Sequence, residues 1–242
     1  RFLPEVLGEP LRVRKPARVF PFDMSDLFYE KFTNEQIAAV FGVMAACPQH
    51  TFLVLTKRAE RMVEWFKWVD EQSQSPEMTR GPKSVVVSAA HTALRLPTGG
   101  MNGILDGSNE RATAAHLRAA NDLYLAEVMN TAIGWPLPNV HIGVSAENQE
   151  WFDKRWPLLK SVPAAVHWVS YEPALGPIDR GIEEPDWVVV GLESGKGARP
   201  GDVDWIRNTV RARKAANRRT FVKQLGAFPT WHGFSPAGGH WP

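Results

Sequence analysis

The stretch NVHIGVSAENQEWFDKRWPLLKSVPAAVHWVSYE (Asn139–Glu172) decides the fold. Asn139–Ser145 is a short apolar run of the kind that fills a buried strand. Phe152, Trp156 and Leu159 then fall on one face at helical spacing, and Ala165–Glu172 forms a second strand run. DWVVVG (Asp186–Gly191) makes a third. Strand, helix, strand is the repeating unit of a parallel sheet, because parallel neighbours need a crossover that a helix supplies.

Working outward, the same rhythm extends in both directions. RVFPFD (Arg18–Asp23) reads as an opening strand weakened by Pro21, which has no amide to donate. Thr33 and Gln36 form a capping box, and Ile37, Val40, Phe41 and Met44 give the helix behind it one apolar face, ended by Pro48. TFLVLT (Thr51–Thr56) is a buried-strand run, and Met62, Trp65, Phe66 and Val69 repeat the helical spacing. Beyond Gly191 come a helix over 202–217, with Val203, Ile206 and Val210 turned inward, and a last strand, TFVKQ (Thr220–Gln224). Six strands separated mostly by helices predict an α/β protein with a parallel sheet.

An open nucleotide-binding sheet carries its glycine fingerprint in the first βα turn, and none stands there. A partial TIM-like (βα) barrel with mainly parallel strands is therefore the expected architecture, six strands being too few for the full eight. We expect one barrel-like domain over residues 1–242, with an insertion at about 71–110 and an irregular tail from about 227. A helix over 111–132 should return the chain to the sheet, with Leu117, Ala120, Tyr124 and Val128 as its stripe.

The chain has 28 Lys and Arg against 26 Asp and Glu, too even a balance to mark a nucleic-acid binder by composition. A single cysteine, Cys47, excludes a disulfide framework and any iron–sulfur or zinc site built from several cysteines of these residues. With no disulfides, no signal-peptide pattern and no membrane-length apolar run, a cytoplasmic location is expected. The chain does not open on Met, and its basic, proline-punctuated start (Arg1–Pro16) leads us to expect that an upstream segment is missing.

In parallel α/β folds ligands bind where the strands end and the βα loops converge. Those exits carry Asp23, Ser25 and Asp26; Thr56, Lys57 and Arg58; Ser145 and Glu147; Ser170 and Glu172; Glu193, Ser194 and Gly195; and Lys223 and Gln224. Taken singly, Asp26 and Ser145 also read as helix caps, and Lys57 and Arg58 as solvated charges. Recurrence at nearly every exit points to a site.

GLESGKGARPGD (Gly191–Asp202) is the most distinctive segment, since its glycines free the backbone for an anion-accepting nest before a helix. The alternative is a flexible turn, and the glycine spacing is not that of a P-loop. His141 and His167 lie inside strands and no exit carries a histidine pair, which argues against a histidine-built metal hydrolase. Cys47 reads as a packed thiol. Arg207, Arg211, Lys214 and Arg218 share one helix face, a solvated stripe or a nucleic-acid surface.

FDMSDLFYE (22–30), CPQHTFLVLTKRAERM (47–62), WPLPNVHIGVSAENQ (135–149), VSYEPALGPID (169–179), DWVVVGLESGKGARP (186–200) and FVKQLG (221–226) closely resemble an uncharacterised family of phage and prophage proteins. That family is similar to radical S-adenosylmethionine (SAM) enzymes and is linked with a three-Cys-motif partner protein. The resemblance implies a partial barrel holding a [4Fe-4S] cluster and SAM, reductive cleavage of SAM, and hydrogen abstraction from a substrate. By position, Ser25 and Asp26 would hold the SAM amino end, Lys57 and Arg58 its carboxylate, and Ser145 and Glu147 the ribose. Glu172, Gly191, Glu193, Ser194 and Gly195 would line the remainder. In the resembled family the cluster cysteines precede the MSDLF block, so this chain should be inactive in radical chemistry as it stands.

Two other readings need no missing part. Glu172 and Glu193, with SYEP and ten Trp, suit a glycoside-hydrolase barrel working through a carboxylate pair. The basic helix stripe suits a non-enzymatic accessory protein that binds phage or host nucleic acid.

Overall fold

The computed structural model describes residues 3–74, 81–94 and 134–231. A six-stranded parallel sheet is built from β1 (Arg18–Val19), β2 (Thr51–Thr56), β3 (Val140–Ser145), β4 (Val166–Tyr171), β5 (Trp187–Gly191) and β7 (Arg219–Gln224), hydrogen-bonded in that order. Two short strands, β6 (Gly201–Asp202) and β8 (Pro229–Thr230), pair separately. The helices are α1 (Pro4–Leu7), α2 (Glu9–Arg12), α3 (Asn34–Ala45), α4 (Ala59–Ser73), α5 (Pro82–Ala93), α6 (Gln149–Lys160) and α7 (Val203–Ala215).

Each strand lies beside its predecessor, with no reversal in the order. A doubly wound sheet reverses at a switch point; an unbroken order is the winding of a (βα) barrel segment. The expected α/β class and half-barrel topology therefore hold. The opening strand is shorter than the six residues expected, because Pro21 lacks an amide and Phe22 adopts a positive φ of 64°. The helix expected over 111–132 lies outside the described residues, as does the tail beyond Trp231.

The chain divides into two compact units, with the divisions falling inside β2 and β3. The first unit comprises Arg1–Val54, Glu60–His141 and Val162–Ala165. Its centre is α3, where Thr33 and Gln36 close the expected capping box and every residue from Ile37 to Ala45 is buried. Trp65 stacks on Phe41 at 4.4 Å and donates its indole N–H to the Asn34 carbonyl, which satisfies its one polar atom. The stretch read as an insertion contributes α5, with Val85, Val86, Val87 and Ala90 buried. The helices α3 and α5 approach so closely that a Cβ at Gly42 would lie 2.1 Å from the Val86 carbonyl oxygen. The buried His50 ring accepts the Ala17 amide at Nδ1 and reaches the Pro10 carbonyl through Nε2, tying down the basic lead-in.

The second unit comprises Leu55–Ala59, Ile142–Ser161 and Val166–Pro242. Trp168 and Trp187 stack at 4.8 Å on neighbouring strands, and Gly143 makes room for them: a Cβ there would stand 2.4 Å from the Trp168 ring. Arg213 is fully buried on α7. Its guanidinium donates to the carbonyls of Ile182, Pro185, Asp186 and Arg219. Burial pushes its pKa down to about 10. The residue fastens the loop before β5 to the start of β7. Phe221 and Val222 of the last strand are exposed because the sheet order ends there.

Both close approaches and the buried guanidinium set stability. Gly42→Ala should cost about 1–3 kcal/mol through overpacking. Arg213→Met, which strands four carbonyls, should cost about 3 kcal/mol or more. Urea unfolding monitored by circular dichroism checks both, and a loss below about 0.5 kcal/mol for either would contradict the packing described.

Candidate functional site

At the exit of β2 the chain turns tightly, with the Arg58 amide donating to Thr56 Oγ1. This turn presents Lys57, whose Nζ lies 2.6 Å from Glu147 Oε1. Glu147 follows β3, and its second oxygen takes Arg155 Nη1 at 3.0 Å. The same Arg155 nitrogen donates to the Ser145 carbonyl, and its guanidinium lies 4.2 Å from the centre of the Trp151 ring. One carboxylate thus joins two strand exits and a helix. Burial alone would push the Glu147 carboxyl up, but the hydrogen bond and charge of Lys57, with the charge of Arg155, outweigh it and hold it below the usual range.

The exit of β4 carries the next group. Ser170 Oγ donates to Glu172 Oε1 at 3.2 Å, and Lys223 Nζ lies 3.1 Å from Glu172 Oε2. Lys223 sits where the pairing of β5 with β7 slips by one residue: Val190 opposes Val222, whereas Gly191 opposes Gln224. Such a bulge re-aims a side chain. The loop after Glu172 begins with a cis peptide to Pro173, and the buried Tyr171 hydroxyl closes it by donating to the Gly176 carbonyl. Its amides at Ala174 and Leu175 donate to the carbonyls of Gly191 and Glu147, both at 2.8 Å, which stitches three strand exits together.

The third group lies after β5. Glu193 takes the Arg199 amide at 2.9 Å and the Arg199 guanidinium through both oxygens, at 2.7 and 3.0 Å. These hydrogen bonds bring its carboxyl down to about 2. Gln224 Nε2 donates to Ser194 Oγ and to the Leu192 carbonyl. Gly195 and Gly197 take positive φ, as the turn between Glu193 and Arg199 requires.

The anion nest expected in this segment differs in one respect. The loop folds around its own Glu193 carboxylate, and the α7 N-terminus is capped by Asp202, which accepts the Asp204 amide. Two further expected residues, Ser25 and Asp26, belong to the first unit, where Asp26 caps a turn by accepting the Phe28 amide. Ser145 is buried and takes part through its carbonyl. Lys57, Glu147, Glu172, Gly191, Glu193 and Ser194 all lie at strand exits of the second unit.

Arg155 and Arg199 were missed as site residues. Arg155 had a signal: it stands at positions i+3 from Phe152 and i−4 from Leu159, a lone cation on an apolar face. The expected four-residue stripe is shorter: α7 ends at Ala215 and Asn217 takes a positive φ, so Arg218 lies beyond the helix, where it pairs with Asp186, while on the helix Arg207 pairs with Asp204 and lies 3.7 Å from the Trp231 ring centre.

The residues present do not fit a [4Fe-4S] cluster. Cys47 is fully buried in the first unit, with its carbonyl taken by the His50 amide and Asn139 Nδ2. Among the described residues no group of His, Cys, Asp and Glu is arranged to hold a metal ion. Nor is any described helix long and apolar enough to cross a membrane.

The fold and this rim define a mixed α/β protein of half-barrel topology with a charged strand-exit site. Its sequence matches the family described as "Protein of unknown function (DUF5131)" over residues 1–235, and the chain belongs to that family. No curated protein and no solved structure matches it.

The Glu147 junction gives a pH prediction. Because its folded-state pKa is lowered, its contribution is complete above the ordinary glutamate value of about 4.3 and fades as pH falls through the folded value. Glu147→Gln should cost about 3 kcal/mol at pH 7, since Arg155 stays buried facing a neutral amide. The variant should also lose part of the acid dependence. Chemical unfolding at pH 7 and pH 3.5 checks it; equal losses at both would contradict the assignment.

Proposed function

We propose that this chain is a radical-SAM-like enzyme component that binds S-adenosylmethionine across the strand-exit rim of its second unit. The observation that supports this most is the stitched set of exits: Lys57–Glu147, Ser170–Glu172–Lys223 and Glu193–Arg199. SAM carries an ammonium, a carboxylate and a ribose diol, and this donor set offers both charges and polar acceptors to meet them. Lys57 and Arg58 serve the carboxylate, while Glu147 and Glu172 serve the ribose and the ammonium. SAM when bound supplies a methyl group or, with an electron donor, an adenosyl radical. The protein's own residues orient it. Radical cleavage needs cluster thiolates that these residues do not provide, so no radical step is assigned to them.

The hydrolase reading asks one carboxyl to stay protonated as general acid. Glu193, one of the pair it would use, is held at about 2 by Arg199, and Lys223 sits on the other, Glu172.

Isothermal titration of SAM into the purified chain tests the proposal. Binding should occur, and Glu172→Gln and Lys57→Met should each weaken it by about tenfold, one lost charged contact. No heat of binding up to millimolar SAM, or binding indifferent to both substitutions, would refute it.

A further inference from the structure

Where the rim carries its charges says more than how many there are. In three of its ion pairs the cation is more exposed than the carboxylate: Lys57, Lys223 and Arg199 side chains are 55, 52 and 59% exposed, against 9, 19 and 29% for Glu147, Glu172 and Glu193, while the fourth, Arg155–Glu147, is 9% exposed on both sides. Long basic side chains reach solvent everywhere, so the exposed cations alone mean little. The carboxylates carry the argument. In Lys160–Glu184, Arg180–Asp153 and Arg218–Asp186 the acidic partner is 44–46% exposed, and in Lys154–Glu150 it is 65%. Arg207–Asp204 is covered on both sides, without the split.

Burying a carboxylate costs desolvation, and a half-exposed ion pair returns little stability. Placing carboxylates under cations does something else: it fixes tips that would otherwise sample many rotamers. Two details leave the rim cationic toward solvent. Glu147 is shared between Lys57 and Arg155, so one carboxylate faces two cations. Lys196, between Gly195 and Gly197, is exposed and has no carboxylate partner among the described residues.

We propose that this rim binds a phosphate-bearing anion as substrate, contacted by Lys196, Arg199 and Lys223 and pre-positioned by the carboxylates beneath two of them. The inference rests on the reading of the strand exits as the ligand site, and it names the substrate class that SAM leaves unassigned. SAM's sulfonium is a cation and its single carboxylate engages one end of the rim. Several fixed cations around the remainder match a multiply charged anion, and phosphate is the common group with that charge and with oxygens that suit both ammonium and guanidinium. The phosphate can belong to a free nucleotide or to a nucleic-acid strand, and the test separates them.

Inorganic triphosphate, ATP and a short single-stranded oligonucleotide are titrated calorimetrically into the full chain, each with and without SAM. Triphosphate should bind, with affinity falling as salt rises, and Lys223→Met should weaken it at least about tenfold. Because Lys223→Met leaves Glu172 uncompensated, the double variant Glu172→Gln/Lys223→Met is measured beside it, with circular dichroism confirming the fold. Lys160→Met, from a surface pair, should leave affinity unchanged. ATP binding tighter than the oligonucleotide assigns a nucleotide; the reverse assigns a strand. SAM binding without any anion binding overturns this inference alone. Anion binding without SAM overturns the SAM reading and leaves the inference standing. Anion affinity that ignores both Lys223 variants overturns it as well.

Discussion

The covered carboxylate of Glu147, held between Lys57 and Arg155, is the interaction on which the strand-exit rim depends. Its two oxygens join the turn after β2, the exit of β3 and the flank of α6, and its backbone carbonyl receives Leu175 from the loop after β4. A buried charge shared by two cations is costly to break, because removing one partner leaves the others desolvated and unmatched. The rim is therefore held in one arrangement by a constraint whose outward face is Lys57.

The same logic recurs along the sheet with different local devices. A bulge re-aims Lys223 onto Glu172. A glycine-rich turn folds Arg199 back on Glu193 through both its amide and its guanidinium. Gly191, bare at the end of β5, lies opposite Gln224, whose amide reaches Ser194. Parallel strands bring these groups together because each βα unit ends at the same edge of the sheet.

Much of the fold was legible because it is written locally. Apolar runs marked β2 to β5, and Thr33 with Gln36 marked the start of α3. Pro21 forecast a weak β1, although the positive φ at Phe22 that ends it had no signal in spacing. Gly42 and Gly143 looked like ordinary glycines; only the approach of Val86 and Trp168 makes them necessary. For the site, strand ends pointed to Lys57, Glu147, Glu172 and Glu193. The pairing of those groups, and the parts played by Arg155 and Arg213, depend on contacts many residues apart, which periodicity does not encode. In the glycine segment spacing did not show that the Arg199 amide and guanidinium turn back onto Glu193 of the same loop.

The most direct measurement of the central claim is amide hydrogen exchange on the full chain with and without SAM. The account predicts added protection at the strand exits, at Ala174, Leu175, Arg199 and Ala227, whose amides hold the rim together. Protection confined to residues 214–220, from the end of α7 to the start of β7, or no change anywhere while SAM is bound, would contradict it.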